Sequence, residues 1–422
     1  MLNRRTIKPW LICGCGALFF FYQFMQLSLF DTLSQPLMDE FSLSQSKLAS
    51  ISSTYLWALV ICYIPIGYMF DRLSNKRLIV LALIASIIAV FSLYFVQQAW
   101  QLQAIRAVTG ITHCFAFLGC MRLAGQWLSH RLSLAMGINF TVGFLGGVIA
   151  HTTFAMITAH YGWRYAILPN GLLGVVILLM IGIFVSDYPI KPTHASFSEE
   201  KLRQHFKTII LNKQNWLCSF YNMLLNLPVI MFAALWGTLY LIREVNLTAI
   251  QASAVMTMVF NGAIVGSPAF GWLSEKMQSR RYPMIISAYM ALLTSLLIFW
   301  WPSQTYIHLI ILYFILGFST GGQVVSYSSI TESNSSHIRG LALSITSIII
   351  LGGGGLSQDV FGYILDFNWR AWLPNISYSP YQLAYFLLPV GFAICSVMSL
   401  KVRETFPYSV TLNDVPSKAI DG

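Results

Sequence analysis

Apolar residues in this chain do not alternate with polar ones; they continue for whole helix lengths, apolar on every face, between short polar joints. A helix needs about 20 apolar residues to cross a bilayer. That ruler predicts twelve spans, at about 10–31, 48–70, 78–97, 101–127, 134–158, 164–186, 216–242, 249–273, 283–301, 305–329, 340–364 and 381–400. A transmembrane barrel would show short alternating segments instead. Arg4, Arg5 and Lys8 precede the first span as they would a secretory signal, but its apolar run has spanning length and more spans follow, so it reads as a retained first helix.

The polar joints show the organisation. The one sizeable connection, about 187–215, opens with prolines, contains a short amphipathic pattern around Glu199–Ile210, and divides six spans from six. The expected plan is a six-helix bundle over 1–186, a linker over 187–215, a second bundle over 216–401 and a tail over 402–422. The halves repeat. "GYMFDRLSNKR" (67–77) returns as "GWLSEKMQSRR" (271–281), pairing Gly67 with Gly271, Asp71 with Glu275, Arg72 with Lys276 and Arg77 with Arg281. "RLSLAMGINFTVGFLGG" (131–147) resembles "IRGLALSITSIIILGGG" (338–354). Parallel repeats of this kind point to an all-α membrane protein, two six-helix pseudo-repeats around a central cavity that rock against each other.

Composition sharpens this picture. The 422 residues are 56% hydrophobic and 9% charged, which excludes a soluble globular chain. The net charge of +10 invites a nucleic-acid partner, but nineteen of the 25 Lys and Arg fall on the side of the N-terminus. That is the positive-inside pattern, so the charge reports topology: both termini are expected in the cytoplasm, and no nucleic acid is bound. All seven cysteines lie in apolar spans without a CxxC pair and read as small buried hydrophobes. No HExxH, no nucleophile with its base and no phosphate loop appears, so an enzyme, a metal centre, a cofactor and direct use of ATP are not expected.

Gly67-x-x-x-Asp71-Arg72-x-x-x-Lys76-Arg77 resembles the loop motif between the second and third helices of the major facilitator superfamily, with Ser74 where that family usually has Gly. Arg106-x-x-x-Gly110 is similar to its fourth-helix motif, and "GWR" (162–164) opens the sixth span as it often does there. A finer resemblance, carried by "LWGTLYL" (235–241), "GSPAFGWLSE" (266–275) and "FLGCMRLAGQWL" (117–128), is to the branch with lysosomal dipeptide transporters and carriers of intracellular bacteria. The resemblance implies alternating access, with small amino-acid-like cargo from the branch.

Charge inside a span is costly and marks functional candidates. Arg106 is placed to hold a substrate carboxylate with its forked donors, or else to bond backbone carbonyls. His113 lies at helical spacing from it. Tyr22, Gln23, Gln26, Asn222, Asn226, Gln323 and Tyr327 are the other candidate binding residues; Asn222 and Asn226 stand one turn apart before Pro228. Other aromatics are expected at lipid or at the membrane interface. Asp31, His113, His151 and Asp359 are the proton-coupling candidates, with Asp31 expected at the end of the first helix. Glu332 is expected to pair with Arg339. The repeated Gly67, Asp71, Arg72, Arg77 and Gly271, Glu275, Lys276, Arg281 are read as two latches: an acid beside the N-terminus of a helix from the other half, favouring the outward-facing state.

The reading is therefore a carrier, monomeric, in a lipid bilayer, most simply a bacterial inner membrane. Its cargo is a small polar solute bearing a carboxylate, with amino acids or dipeptides first and protons as a second passenger. A proton-driven efflux antiporter for drugs or metabolites, and a non-transporting receptor or channel, are the alternatives.

Overall fold

The computed structural model describes residues 4–128, 132–187, 199–300, 305–335, 338–372 and 377–406. Among the described residues, twelve helices are long and apolar enough to cross a membrane. In the first half they are α1 (Lys8–Phe41), α2 (Gln45–Phe70), α3 (Asn75–Phe95), α4 (Ala99–Trp127), α5 (Ala135–Tyr161) and α6 (Trp163–Phe184). In the second half they are α7 (Lys213–Val245), α8 (Ala249–Lys276), α9 (Arg281–Trp300), α10 (Tyr306–Glu332), α11 (Arg339–Asp366) and α12 (Pro380–Lys401). A short helix, Glu199–Leu211, lies on the connection between them. Twelve crossings return the chain to the side where it began; that side is called here the terminal face and the opposite one the distal face.

Asp31 does not end the first helix. The α-helix runs on to Phe41, because Leu33 and Leu37 stay buried on the inner side of the extension. Two helices carry π-helical turns, Ala150–Phe154 in α5 and Pro228–Trp236 in α7. Pro228, which has no N–H to donate, opens the second of them. Such turns misalign the backbone ladder and recur at functional sites.

Glycine sets the closest helix contacts. A Cβ on Gly262 or Gly266 of α8 would lie 2.1 Å from the carbonyl oxygen of Phe314 or Phe318. On α10, Gly317 and Gly321 meet the α8 backbone just as closely. These are two small-xxx-small ridges facing one another.

The sequence repeat becomes a structural one. The Arg72 guanidinium lies 4.1 Å over the Tyr68 ring, and the Lys276 ammonium 4.8 Å over Trp272. Ser74 caps α3 by accepting from the Arg77 N–H at 3.2 Å; Ser279 does the same for α9 from the Tyr282 N–H at 3.2 Å. Beyond α6, Asp187 accepts from the Lys76 N–H at 3.0 Å and from the Ser74 hydroxyl. Beyond α12, Glu404 accepts from the Arg280 N–H at 2.8 Å and from the Ser279 hydroxyl. Each half thus ties the segment leaving its sixth helix to the start of its third. Partial burial pushes the Glu404 carboxyl up, but the donors of Arg280, Ser279, Phe406 and Arg281 outweigh it and hold it at about 2. Glu332 pairs with Arg280 at 2.8 Å rather than with Arg339, whose Nε bonds the Asn334 carbonyl. Arg280 gives Glu275 its other fork, also at 2.8 Å.

The halves meet through α2 with α11, α5 with α8, and α1 with α7. Asp366 accepts from the N–H groups of Gln45 and Ser46 at 3.2 and 2.8 Å, so an α11 carboxylate caps the start of α2. Asp359 accepts from Ser53 Oγ at 2.7 Å and Trp57 Nε1 at 3.3 Å. Arg243 of α7 donates to Gln35 of α1 at 3.0 Å. All these bonds lie in the distal half of the bundle. Near the terminal face, a Cβ added at Gly67, Gly137, Gly271 or Gly340 would meet open space. These polar bonds between the halves thus gather toward the distal face, while the four glycines near the terminal face stand clear of any neighbouring helix. The side chain of Asp71 lies outside the described residues.

Candidate functional site

Between the halves, on the terminal side of those bonds, lies a cavity of about 90 Å³. Its N-terminal wall carries five phenyl rings: Phe20 and Phe24 of α1, Phe117 of α4, Phe140 and Phe144 of α5. Phe20 meets Phe24 edge-on at 5.1 Å, and Phe24 meets Phe144 edge-on at 5.2 Å. Phe140 stacks on Tyr327 of α10 at 6.2 Å and 28°, so the aromatic wall crosses from one half to the other. Edge and face contacts of this kind suit a ring-bearing guest.

Polar groups interrupt the wall at a few points. Gln23, Asn226, Gln323 and Tyr327 line the cavity, as do Tyr55, Tyr63 and Ser347. Ser347 Oγ donates to the Leu343 carbonyl of its own helix at 3.0 Å. Gln23 Oε1 and Asn226 Oδ1 are buried without a hydrogen-bond partner. Unsatisfied buried acceptors are uncommon and point to a missing donor. None of the lining residues is charged.

The remaining candidates lie behind the wall. The Arg106 guanidinium is buried, donates to the carbonyls of Gln26 at 3.1 Å and Ser52 at 3.4 Å, and sits 4.2 and 4.4 Å over the rings of Phe30 and Tyr55. His113 is bonded through Nδ1 to the Tyr55 hydroxyl and through Nε2 to Ser86 Oγ, both at 2.9 Å. Gln26 donates to Asn170 at 2.6 Å, and Asn222 to Ser326 at 2.8 Å. Tyr22 is buried with its hydroxyl unpaired, against Gly174. Arg106 and His113 therefore brace Tyr55, whose ring reaches the cavity, without reaching it themselves.

Asp31, His151 and Asp359 also lie away from the wall. Asp31 and His151, treated separately in the sequence, are brought together: His151 Nδ1 is 3.5 Å from Asp31 Oδ2, with both side chains fully buried.

The sequence does not single out the phenyl wall or Tyr55, Tyr63 and Ser347, because aromatics in apolar spans are expected at lipid or at the membrane interface. The four-residue spacing of Phe20 with Phe24 and of Phe140 with Phe144 was the available signal, since it sets both rings on one helix face.

The family model described as Major Facilitator Superfamily matches residues 14–358, with a further match over 216–414. The chain is 22% identical over 363 residues to the gentisate transporter of Corynebacterium glutamicum, covering 84% of this chain and 80% of that protein. It is likewise 22% identical over 371 residues to the membrane sensor protein UhpC of Escherichia coli K12, covering 82% and 84%. Among solved structures, a bacterial homologue of the human lysosomal transporter Spinster, inward-facing and unoccupied, superposes with a TM-score of 0.70 at 16% identity, covering 94% of this chain and 95% of the other. The twelve spans, the repeated halves and the family match together make this chain an integral multi-pass transporter of the Major Facilitator Superfamily, and not an enzyme.

Proposed function

We propose that the carrier moves a small aromatic carboxylate, with hydroxybenzoates first and aromatic amino acids or their dipeptides second. The observation that carries this reading is the wall itself: stacked and edge-on rings from both halves, amide and hydroxyl groups between them, and no charge. A ring finds partners on several sides, and the unpaired oxygens of Gln23 and Asn226 accept from a guest's hydroxyl or ammonium. Similarity to a gentisate transporter supports the same class. With the Lys- and Arg-rich terminal face in the cytoplasm, the conformation described is inward-facing, and a bacterial inner membrane is the simplest setting.

The test is a thermal-shift screen of the purified protein against gentisate, benzoate, phenylalanine, dipeptides, sugars and lipophilic cations. A ligand that binds only the folded carrier raises its melting temperature. A shift by aromatic acids that is lost in Phe144→Ala supports the reading; a shift by sugars or cations alone overturns it. Similarity to a sensor protein favours a second reading, in which the cavity reports a solute without moving it. Counterflow of labelled gentisate in proteoliposomes separates the two, since only a carrier exchanges solute.

A further inference from the structure

The geometry points to a proton-binding site formed by Asp31 and His151, set in the seam where the halves close at the distal face. It rests on the transporter reading, not on the identity of the cargo. Asp31 lies on α1 and His151 in the π-turn of α5, both in the first half; the side-chain hydrogen bonds they make to the second half go to α7. Thr238 donates its N–H to Asp31 Oδ1 at 3.0 Å and its hydroxyl to Oδ2. His151 Nε2 lies 2.9 Å from the Ala233 carbonyl. Ala233 and Thr238 stand five residues apart, the spacing a π-turn bridges; here the carbonyl of one and the N–H of the other are offered to the opposite half.

These partners fix the protons. A carbonyl only accepts, so Nε2 carries a hydrogen in the closed state. The two Thr238 donors favour the carboxylate of Asp31 while burial favours its acid form, so the proton belongs to the pair as a whole. The variable proton is the one between His151 Nδ1 and Asp31 Oδ2, 3.5 Å apart. With it the pair is neutral; without it the seam buries a net negative charge, which is strongly unfavourable away from water. No other ion pair among the described residues involves either group. The other titratable groups facing the pair are the Tyr313 phenol on α10, buried and unpaired, and Tyr240 of α7 beside it. The α8 contact is the uncharged Phe260 ring, 5.8 Å from the imidazole. Two cations flank the pair along α1: Arg243, engaged with Gln35 one turn beyond Asp31, and Arg106 of α4, engaged with the Gln26 carbonyl and the Phe30 ring.

When the distal face opens, Thr238 and Ala233 leave with the second half, while Asp31 and His151 stay together and meet water. A proton taken from that water onto Nδ1 lets the seam close over a neutral pair. Its loss favours reopening. One proton is thereby counted at the distal gate in each cycle, whatever occupies the cavity.

The test uses the substrate-free carrier in liposomes with spin labels at Gln97→Cys and Ile307→Cys, exposed sites on the distal ends of opposite halves. Distances between the labels are read from mildly acidic to mildly alkaline buffer. The open-to-closed ratio is expected to rise with pH, by at most about tenfold per unit for a single proton. Asp31→Asn, uncharged at every pH, is expected to abolish that rise. His151→Gln retains a donor for Ala233 but leaves Asp31 alone to take the proton; it is expected to move the rise to a different pH and to leave the distal face more open than the parent at neutral pH. A flat response in the parent, an undiminished rise in Asp31→Asn, or a His151→Gln response identical to the parent's overturns the proposal. Because no cargo is present, failure here is separate from failure of gentisate to bind.

Discussion

Replacing Arg106 separates two roles that the sequence left open. If the guanidinium anchors cargo, removing its charge abolishes binding; if it braces α1, α2 and α4, removing its bulk costs stability. The structure favours the brace, since its donors face two backbone carbonyls and its plane covers two rings. Truncation to Ala forfeits those contacts and leaves a void of on the order of 100 Å³, worth about 2–4 kcal/mol at roughly 24 cal/mol per Å³ plus lost hydrogen bonding. Relief from burying a cation offsets part of this. Met keeps most of the volume without the charge, so Arg106→Met is expected within about 1 kcal/mol of the parent, because a buried ion replaced by a similar apolar volume is often neutral. The assays are thermal unfolding in detergent and gentisate affinity by the shift of melting temperature. The expected pattern is a destabilised Ala variant and a stable Met variant that binds like the parent. A Met variant that folds normally but loses more than about tenfold in affinity, some 1.4 kcal/mol, would refute the brace and restore the anchor.

Three further outcomes are expected. Asp359→Asn loses the charge from its bonds to Ser53 and Trp57, so the distal seam weakens by about 1 kcal/mol and the labels described above report a roughly fivefold rise in the open fraction. Gly266→Ala puts a methyl 2.1 Å from the Phe318 carbonyl, which no rotamer relieves, and is expected to cost about 2–3 kcal/mol in unfolding; Gly271→Ala, with open space around it, leaves the melting temperature unchanged but slows flux if α5 and α8 close there in the other state. Glu404→Gln lowers stability at neutral pH, and because the native carboxyl is depressed to about 2 from 4.5, its contribution is full above 4.5 and fades as the pH falls toward 2; the difference in melting temperature between parent and variant narrows over that range.

The fold was legible because a bilayer imposes one rule on every span and because the motif around Gly67 recurs around Gly271. The site was legible only in part, and the reason is geometric. Gln23, Asn226, Gln323 and Tyr327 reach the cavity because a polar group facing the seam between halves has few other places to go. Arg106, His113 and Gln26 look the same in sequence, but each finds its partners inside the first half, and no local pattern tells a satisfied buried polar group from one left open to cargo. The aromatic wall was hidden for the opposite reason: lipid and cavity both accept phenyl rings, so only the face of the helix distinguishes them. The pairing of Asp31 with His151 joins positions 120 residues apart and depends on a π-turn that the sequence around Ala150 does not announce.

The distal bonds also constrain the state that the structure does not show. Asp31, Asp359, Asp366 and Arg243 each contribute a polar contact across the seam. At about 1 kcal/mol net apiece, four such contacts would bias the carrier toward this state by nearly a thousandfold. A cargo that binds both states equally shifts nothing, so it cannot undo that bias during turnover. The opposite state must therefore gain contacts of similar worth at the terminal face. The helix surfaces free to make them are those around Gly67 and Gly340, and around Gly137 and Gly271, which meet open space here. These are the surfaces beside the repeated acid and base motifs. In this state Arg72 and Lys276 rest on aromatic rings of their own helices, and Glu275 is engaged with Arg280 within its own half. The latch reading predicts that rocking the halves exchanges distal carboxylate bonds for terminal ones. The two sets need to match only within a few kcal/mol for a proton and a small solute to decide between them.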